Sequence, residues 1–109
     1  MTGTVPDETA VAIRVAMPQQ LRTLARVSGQ IEVTVEAPVT LGAVLDALEE
    51  RHPELRGTIR DRETLERRAM IRLYAAGEDL SDAAPTTRLP DEVARGREPL
   101  RLVGAIAGG

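Results

Sequence analysis

The sequence predicts a two-layer α+β domain, one mixed sheet with a main helix packed across one face. Three observations predict it. Apolar residues alternate with polar ones along Val11–Met17, Ile31–Val35 and Ile71–Ala75, the period of half-buried strands. Leu41, Val44, Leu45 and Leu48 instead repeat at helical spacing. Pro and Gly separate these stretches, so that two strands precede the helix and two follow it.

The elements follow in order. Val11, Ile13, Val15 and Met17 alternate with Ala12, Arg14 and Ala16, and Pro18 ends the strand. Leu21, Leu24 and Ala25 predict one loose helical turn, closed by Ser28-Gly29. Ile31, Val33 and Val35 alternate with Glu32, Thr34 and Glu36, giving a second strand that forms a hairpin with the first. Thr40 is the expected N-cap of the main helix, and Pro53 stops it after Arg51 and His52. Asp46, Glu49 and Glu50 are assigned to its wet side. Leu55 and Ile59 predict a shorter second helix, and Asp61-Arg62-Glu63 a loop. Ile71, Leu73 and Ala75 mark the third strand, and Ala76-Gly77-Glu78-Asp79 a turn. Between Leu80 and Pro99, the residues Pro85, Pro90, Gly96 and Pro99 are expected to break any regular element, with Leu89 and Val93 pinning the segment to the core. Leu100–Val103 form the last strand. The simplest fold with this order is the β-grasp, whose first and last strands are central and parallel. Its limits are set at a leader over residues 1–10, a domain over 11–104 and a flexible tail over 105–109.

Composition narrows the function. A chain of 109 residues with 42% hydrophobic content fits one folded domain. Tyr74 is the only aromatic residue, so base stacking on single-stranded nucleic acid is not expected. The net charge of −3 gives no basic excess for a polyanion. All basic residues are Arg, so no Lys offers an amine for isopeptide bonding. Without Cys there is no disulfide, thiolate nucleophile or cysteine metal site. His52, a lone His at a helix end, reads as a capping or surface group, and Glu78, Asp79 and Asp82 as a solvated turn. No Gly-rich phosphate loop follows a strand. No stretch is apolar enough to span a bilayer, and residues 1–10 lack a signal-peptide pattern, so a cytoplasmic protein is expected, with no catalytic residue, no bound cofactor and no metal.

Beyond the last strand the sequence runs Ala105-Ile106-Ala107-Gly108-Gly109. Gly108 and Gly109 lack a Cβ and accept almost any φ/ψ, which suits a thin tail entering a narrow active site. A frayed terminus has the same look, and the residues upstream discriminate. The Thr40–Glu49 helix start, the Gly77-Glu78-Asp79-Leu80 turn and the Gly-Gly ending together resemble the ubiquitin-like sulfur carriers, the MoaD/ThiS family, which includes the small subunit of molybdopterin synthase and the thiamine sulfur carrier. The resemblance covers residues 11–109. Members often carry Asn where Ala76 stands and Pro where Gly104 stands, and the turn before the last strand is here Gly96-Arg97-Glu98-Pro99.

That resemblance implies a ubiquitin-like β-grasp fold and a carrier that is not itself an enzyme. A partner adenylating enzyme uses ATP to activate the Gly109 carboxylate. A sulfur donor then displaces AMP, leaving a thiocarboxylate for an acceptor synthase, such as the large subunit of molybdopterin synthase, or for cysteine or other thio-metabolite synthesis. Ile106, Ala107 and Gly108 would thread the partner's active site. The open sheet face would dock it through Arg14, Arg72, Tyr74, Arg101 and Val103, beside Ala12, Ala16 and Thr34. Arg14 and Arg101 are expected to lie close together, met by Glu32 or an acidic partner. Two other functions carry the same residues, a ubiquitin-like modifier conjugated through Gly109 and an inert β-grasp interaction module. Neither nucleic acid nor a membrane is an expected partner.

Overall fold

The computed structural model describes residues 10–104. The strands are β1 (Ala10–Ala16), β2 (Ile31–Glu36), β3 (Ile71–Ala75), β4 (Glu78–Asp79) and β5 (Leu100–Gly104). Among the described residues they form a five-stranded sheet in the order β2-β1-β5-β3-β4. β1 pairs with β2 as an antiparallel hairpin, from Val15 opposite Ile31 to Ala10 opposite Glu36. β5 runs parallel to β1, with Val15 opposite Leu100, and antiparallel to β3. The first and last strands are therefore central and parallel, as the β-grasp requires.

The main helix, α2 (Leu41–Arg51), forms as its pattern dictates. Thr40 is extended, and its Oγ1 accepts the amide of Ala43 at 3.2 Å. The His52 amide donates to the Leu48 carbonyl and closes the far end. Leu41, Val44, Leu45 and Leu48 are all buried against the inward residues of the sheet, Ile13, Val15, Val33, Val35, Leu73, Leu100 and Leu102. Full burial of one such side chain contributes about 1.5–3 kcal/mol, which is what holds the helix to the sheet.

Elsewhere the structure departs from the expected elements. The region of Leu21–Ala25 is a seven-residue helix, α1 (Gln19–Ala25), rather than one loose turn. Leu21 and Ala25, one turn apart, are both buried, and Arg26 ends the helix at φ 63. No second helix spans Leu55 and Ile59. A single 3-10 turn at Pro53–Leu55 stands there, Arg56 is extended, and Gly57 takes φ +84, outside helical space. Ile59 still reaches the core, fully buried. The expected turn over Ala76–Asp79 is tighter, because Ala76 and Gly77 both take positive φ, and Glu78 and Asp79 already pair as β4. The prolines of 80–99 do not exclude regular structure. Pro90 precedes one helical turn, α3 (Asp91–Ala94), at a position where its missing N–H is no loss. Leu89 and Val93 do pin this segment to the core.

The acidic side of α2 is also not uniformly wet. Glu49 is buried, 8% exposed, beside a buried Arg60. Arg60 Nε donates to Glu49 Oε2 at 3.0 Å and Nη2 to Oε1 at 2.9 Å, with Asp46 Oδ1 at 2.8 Å. Burial works against the Arg60 charge, and the hydrogen bonds to Glu49 and Asp46 outweigh it, so its pKa is raised.

Candidate partner-docking face and tail exit

The alternation that buries one face of β1, β3 and β5 turns the other face outward. Arg14, Arg72, Tyr74, Arg101 and Val103 all lie on that open face, half-buried or exposed. Register places them. Arg101 of β5 stands between Ala16 of β1 and Tyr74 of β3, and Val103 stands beside Arg72. These four residues of β3 and β5 form one contiguous patch, with Val103 44% exposed.

The cations on this face differ in what already holds them. Arg72 pairs with Asp79 across the β3–β4 hairpin. Asp79 has its carboxyl drawn down to about 2 by hydrogen bonds from the Ser81 side chain and amide, then by Arg72. The charge of Arg72 is favoured in turn by Asp79 and then Tyr74, which raises its pKa. Arg14 is spent differently. Its Nη2 donates to the Arg97 carbonyl at 2.7 Å and its Nη1 to Gln30 Oε1 at 3.3 Å, clamping β1 to the turn that feeds β5. Glu32 lies directly opposite Arg14 in the ladder, yet no ion pair joins them, so of the two expected counter-charges Glu32 is not the one that meets Arg14. Arg101 has no hydrogen-bond or ion-pair partner among the described residues and is the uncommitted cation of the patch. Arg14 and Arg101 sit on neighbouring strands, two residues apart in register.

The patch continues to the end of β5. Gly104 pairs with Ile71, the first residue of β3, and a Cβ on Gly104 would lie 3.4 Å from Pro18 Cγ. A cleft of about 440 Å³ opens here between Pro18, Arg22, Arg101, Val103 and Gly104. Arg22 was not legible as part of it, because its helix was expected to be only a loose turn. Ile106, Ala107, Gly108 and Gly109 lie outside the described residues.

Chemically, the face offers apolar contact, one phenol and an available guanidinium. Among the described residues no group of three or more His, Asp or Glu side chains is placed to hold a metal, and no helix is long and apolar enough to cross a membrane.

No protein-family model and no curated protein matches the chain. Solved structures do. SAMP1 from Haloferax volcanii is 24% identical with a TM-score of 0.71, over 90% of this chain and 99% of that one. A chain of the BexX/CysO complex from Amycolatopsis orientalis is 23% identical with a TM-score of 0.66, over 88% of this chain and 98% of that one. The HVO 2177 protein of Haloferax volcanii is 17% identical with a TM-score of 0.70, over 98% of this chain and 94% of that one. At these identities the shared property is the fold, and it is the fold that the sequence resemblance implied: the chain has the ubiquitin-like β-grasp fold.

Proposed function

We propose that the chain is a sulfur-carrier protein, with Gly109 supplying the terminal carboxylate on which sulfur is carried. The observation that carries this reading is the path of β5. It is a central strand held on both sides, it ends with Gly104 at the Pro18–Arg101 cleft, and the sequence that follows it is Ala105-Ile106-Ala107-Gly108-Gly109. Five extended residues reach about 16–18 Å at most, enough to enter a partner while the domain stays outside. The fold shared with SAMP1 and CysO supports the same class, and CysO is itself found in a complex with another protein, BexX.

In this reading the chemistry belongs to the partners. An α-carboxyl ionises at about pH 3.3–3.7, so the Gly109 oxygen is a ready nucleophile at neutral pH. It attacks the α-phosphorus of ATP in the activating enzyme, and pyrophosphate leaves. Sulfide sulfur from a donor then attacks the acyl carbon of the adenylate and AMP leaves, giving the thiocarboxylate. An acceptor synthase, in molybdopterin or another thio-metabolite pathway, takes the sulfur, all in the cytoplasm where ATP is at hand. Arg101, Val103, Arg72 and Tyr74 dock the partner, with Arg14 holding the sheet behind them.

The experiment is ATP–pyrophosphate exchange with a cognate activating enzyme. Deleting Gly109 is expected to abolish exchange, and Gly109→Ala to slow it strongly, since a Cβ narrows both the conformations and the channel fit. Arg101→Glu with Tyr74→Ala is expected to weaken docking and leave the fold intact. Exchange that survives the deletion overturns the reading. Modification of other proteins through Gly109 is the second reading, favoured by the neighbours named small archaeal modifier proteins. Intact mass separates the two: replacement of one oxygen by sulfur marks a carrier, and a covalent ladder on other proteins marks a modifier.

A further inference from the structure

β2 is an outer strand of the sheet. Its residues Ile31–Glu36 pair with β1 in unbroken register, and among the described residues nothing pairs with its other side. Sheet edges are commonly blunted by a proline, a bulge, an inward charge or very short length. β2 has none of these, since Ile31, Val33 and Val35 point inward and the next proline is Pro38; its one edge device is the exposed charge of Glu32 and Glu36, which deters a like-charged strand and admits a cationic one. Along the edge, between β2 and α2, runs a cleft of about 220 Å³ lined by Val33, Thr34, Ala47, Glu50 and Arg51. On the opposite face Glu32, Thr34 and Glu36 are exposed. The nearest cation in the ladder, Arg14, is engaged with Gln30 and the Arg97 carbonyl, which leaves Glu32 and Glu36 without an ion pair among the described residues.

We propose that the β2 edge docks an extended segment of a partner protein as an added strand, with small apolar side chains alternating with polar ones and a Lys or Arg at each end of a five-residue core. The pattern follows from the strand itself. Residues opposite one another across a ladder share a face, so cations at the first and fifth positions meet Glu32 and Glu36. A small polar residue at the third faces Thr34, and apolar residues at the second and fourth stand opposite Val35 and Val33, the latter at the cleft. A second copy of β2 fits less well. It carries no cation, and pairing centred on Thr34 would set Glu32 against Glu36 twice. The inference uses only the described edge and is independent of any chemistry at Gly109.

The test is a titration of the full chain, followed by amide NMR, with two capped peptides, Val-Lys-Val-Thr-Val-Lys-Val and Val-Glu-Val-Thr-Val-Glu-Val. The Lys peptide is expected to shift the β2 and Ala47–Arg51 amides and to slow exchange of the outer β2 amides, while the Glu peptide does neither. Glu32→Lys with Glu36→Lys, both at exposed positions, is expected to weaken the Lys peptide about fivefold or more and to admit the Glu peptide. The proposal is overturned if the Lys peptide leaves β2 unshifted, if it shifts another surface instead, or if the double variant keeps the original preference. Concentration-dependent shifts of β2 without peptide would overturn it too, by assigning the edge to a second copy.

Discussion

The two long connections of this domain, 56–70 and 80–99, each send apolar residues into the core but differ in what else holds them. The first is tied down by arginines. Arg60 is buried against Glu49, while Arg67 donates to the carbonyls of Ser81 and Ile71, both at 2.6 Å, and reaches Asp82 at 3.3 Å. Asp61 orders its tip, accepting the amides of Glu63 and Thr64, and these bonds hold its carboxyl below the usual range. The second connection is held by burial and backbone. Leu80, Leu89 and Val93 enter the core, and the carbonyls of Pro85 and Thr87 accept the amides of Gly42 and Leu41 at the start of α2. Those amides have no partner within the helix, so the connection completes the work begun by Thr40. A long segment without regular structure can therefore be rigid by either route. The routes fail differently, because a directional charged contact leaves an orphaned group when cut, whereas a lost apolar contact leaves a void.

The largest expected effect comes from cutting the charged anchor. Arg60→Ala leaves Glu49 buried and uncompensated, and breaking such a pair costs about 3–5 kcal/mol. Replacing the pair together, Arg60→Met with Glu49→Leu, is expected to recover most of that loss. Leu89→Ala, the matching cut in the second connection, costs about 2–5 kcal/mol and has no such rescue. Urea unfolding of the four proteins reads both results. A double variant no more stable than Arg60→Ala would mean that the arginine matters for packing and not for its charge.

A smaller effect is expected where the second connection meets the helix. Gly42 sits so close to Pro85 that a Cβ would stand 2.9 Å from Pro85 Cβ and 3.0 Å from its carbonyl oxygen. Gly42→Ala gains up to about 1 kcal/mol of helix propensity. Moving a backbone carbonyl that also accepts the Gly42 amide at 2.8 Å costs about 1–3 kcal/mol, so a net loss is expected. Faster amide exchange at Leu41 and Gly42 would locate it. A stabilised Gly42→Ala protein would show that the connection yields at this point and that its backbone anchor is soft.

How much of this was legible in the sequence follows the same division. Alternation assigned every residue of the open-face patch to the correct face, and the i, i+3, i+4 stripe with Thr40 defined α2, because both depend on apolar spacing along a single element. Leu89 and Val93 were legible only as apolar residues in a stretch otherwise read as irregular. Glu49 was not. On a helical wheel it borders the apolar stripe, and only Arg60, eleven residues on, makes its burial tolerable. The missing helix over 55–59 came down to the backbone of Gly57, and the Arg14 contacts with Gln30 and the Arg97 carbonyl were not legible because a ladder position does not say where a long side chain ends. The tail residues that carry the functional reading were legible as a pattern alone.

A further charged anchor stands at the end of β4, where the second connection begins, and it tests whether exposure is what separates strong from weak. Asp79 accepts the Ser81 amide at 2.9 Å and pairs with Arg72, and the Ser81 hydroxyl accepts the amide of Leu73 at 2.9 Å. Both Arg72 and Asp79 are 40% exposed, so solvent screens the pair. The Asp79 carboxyl lies at about 2 in the folded protein; in the unfolded chain it returns to about 3.9. A lowered folded value means that the contribution is complete above about pH 4 and disappears as the pH falls through about 2. Asp79→Asn keeps an acceptor for Ser81 and loses the charge. It is expected to be slightly less stable than the parent chain at neutral pH and to converge on it as the pH falls below about 2, by denaturant midpoint. A difference that persists unchanged into acid would mean that the charge of Asp79 contributes nothing, and that hydrogen bonding through Ser81 alone anchors this turn.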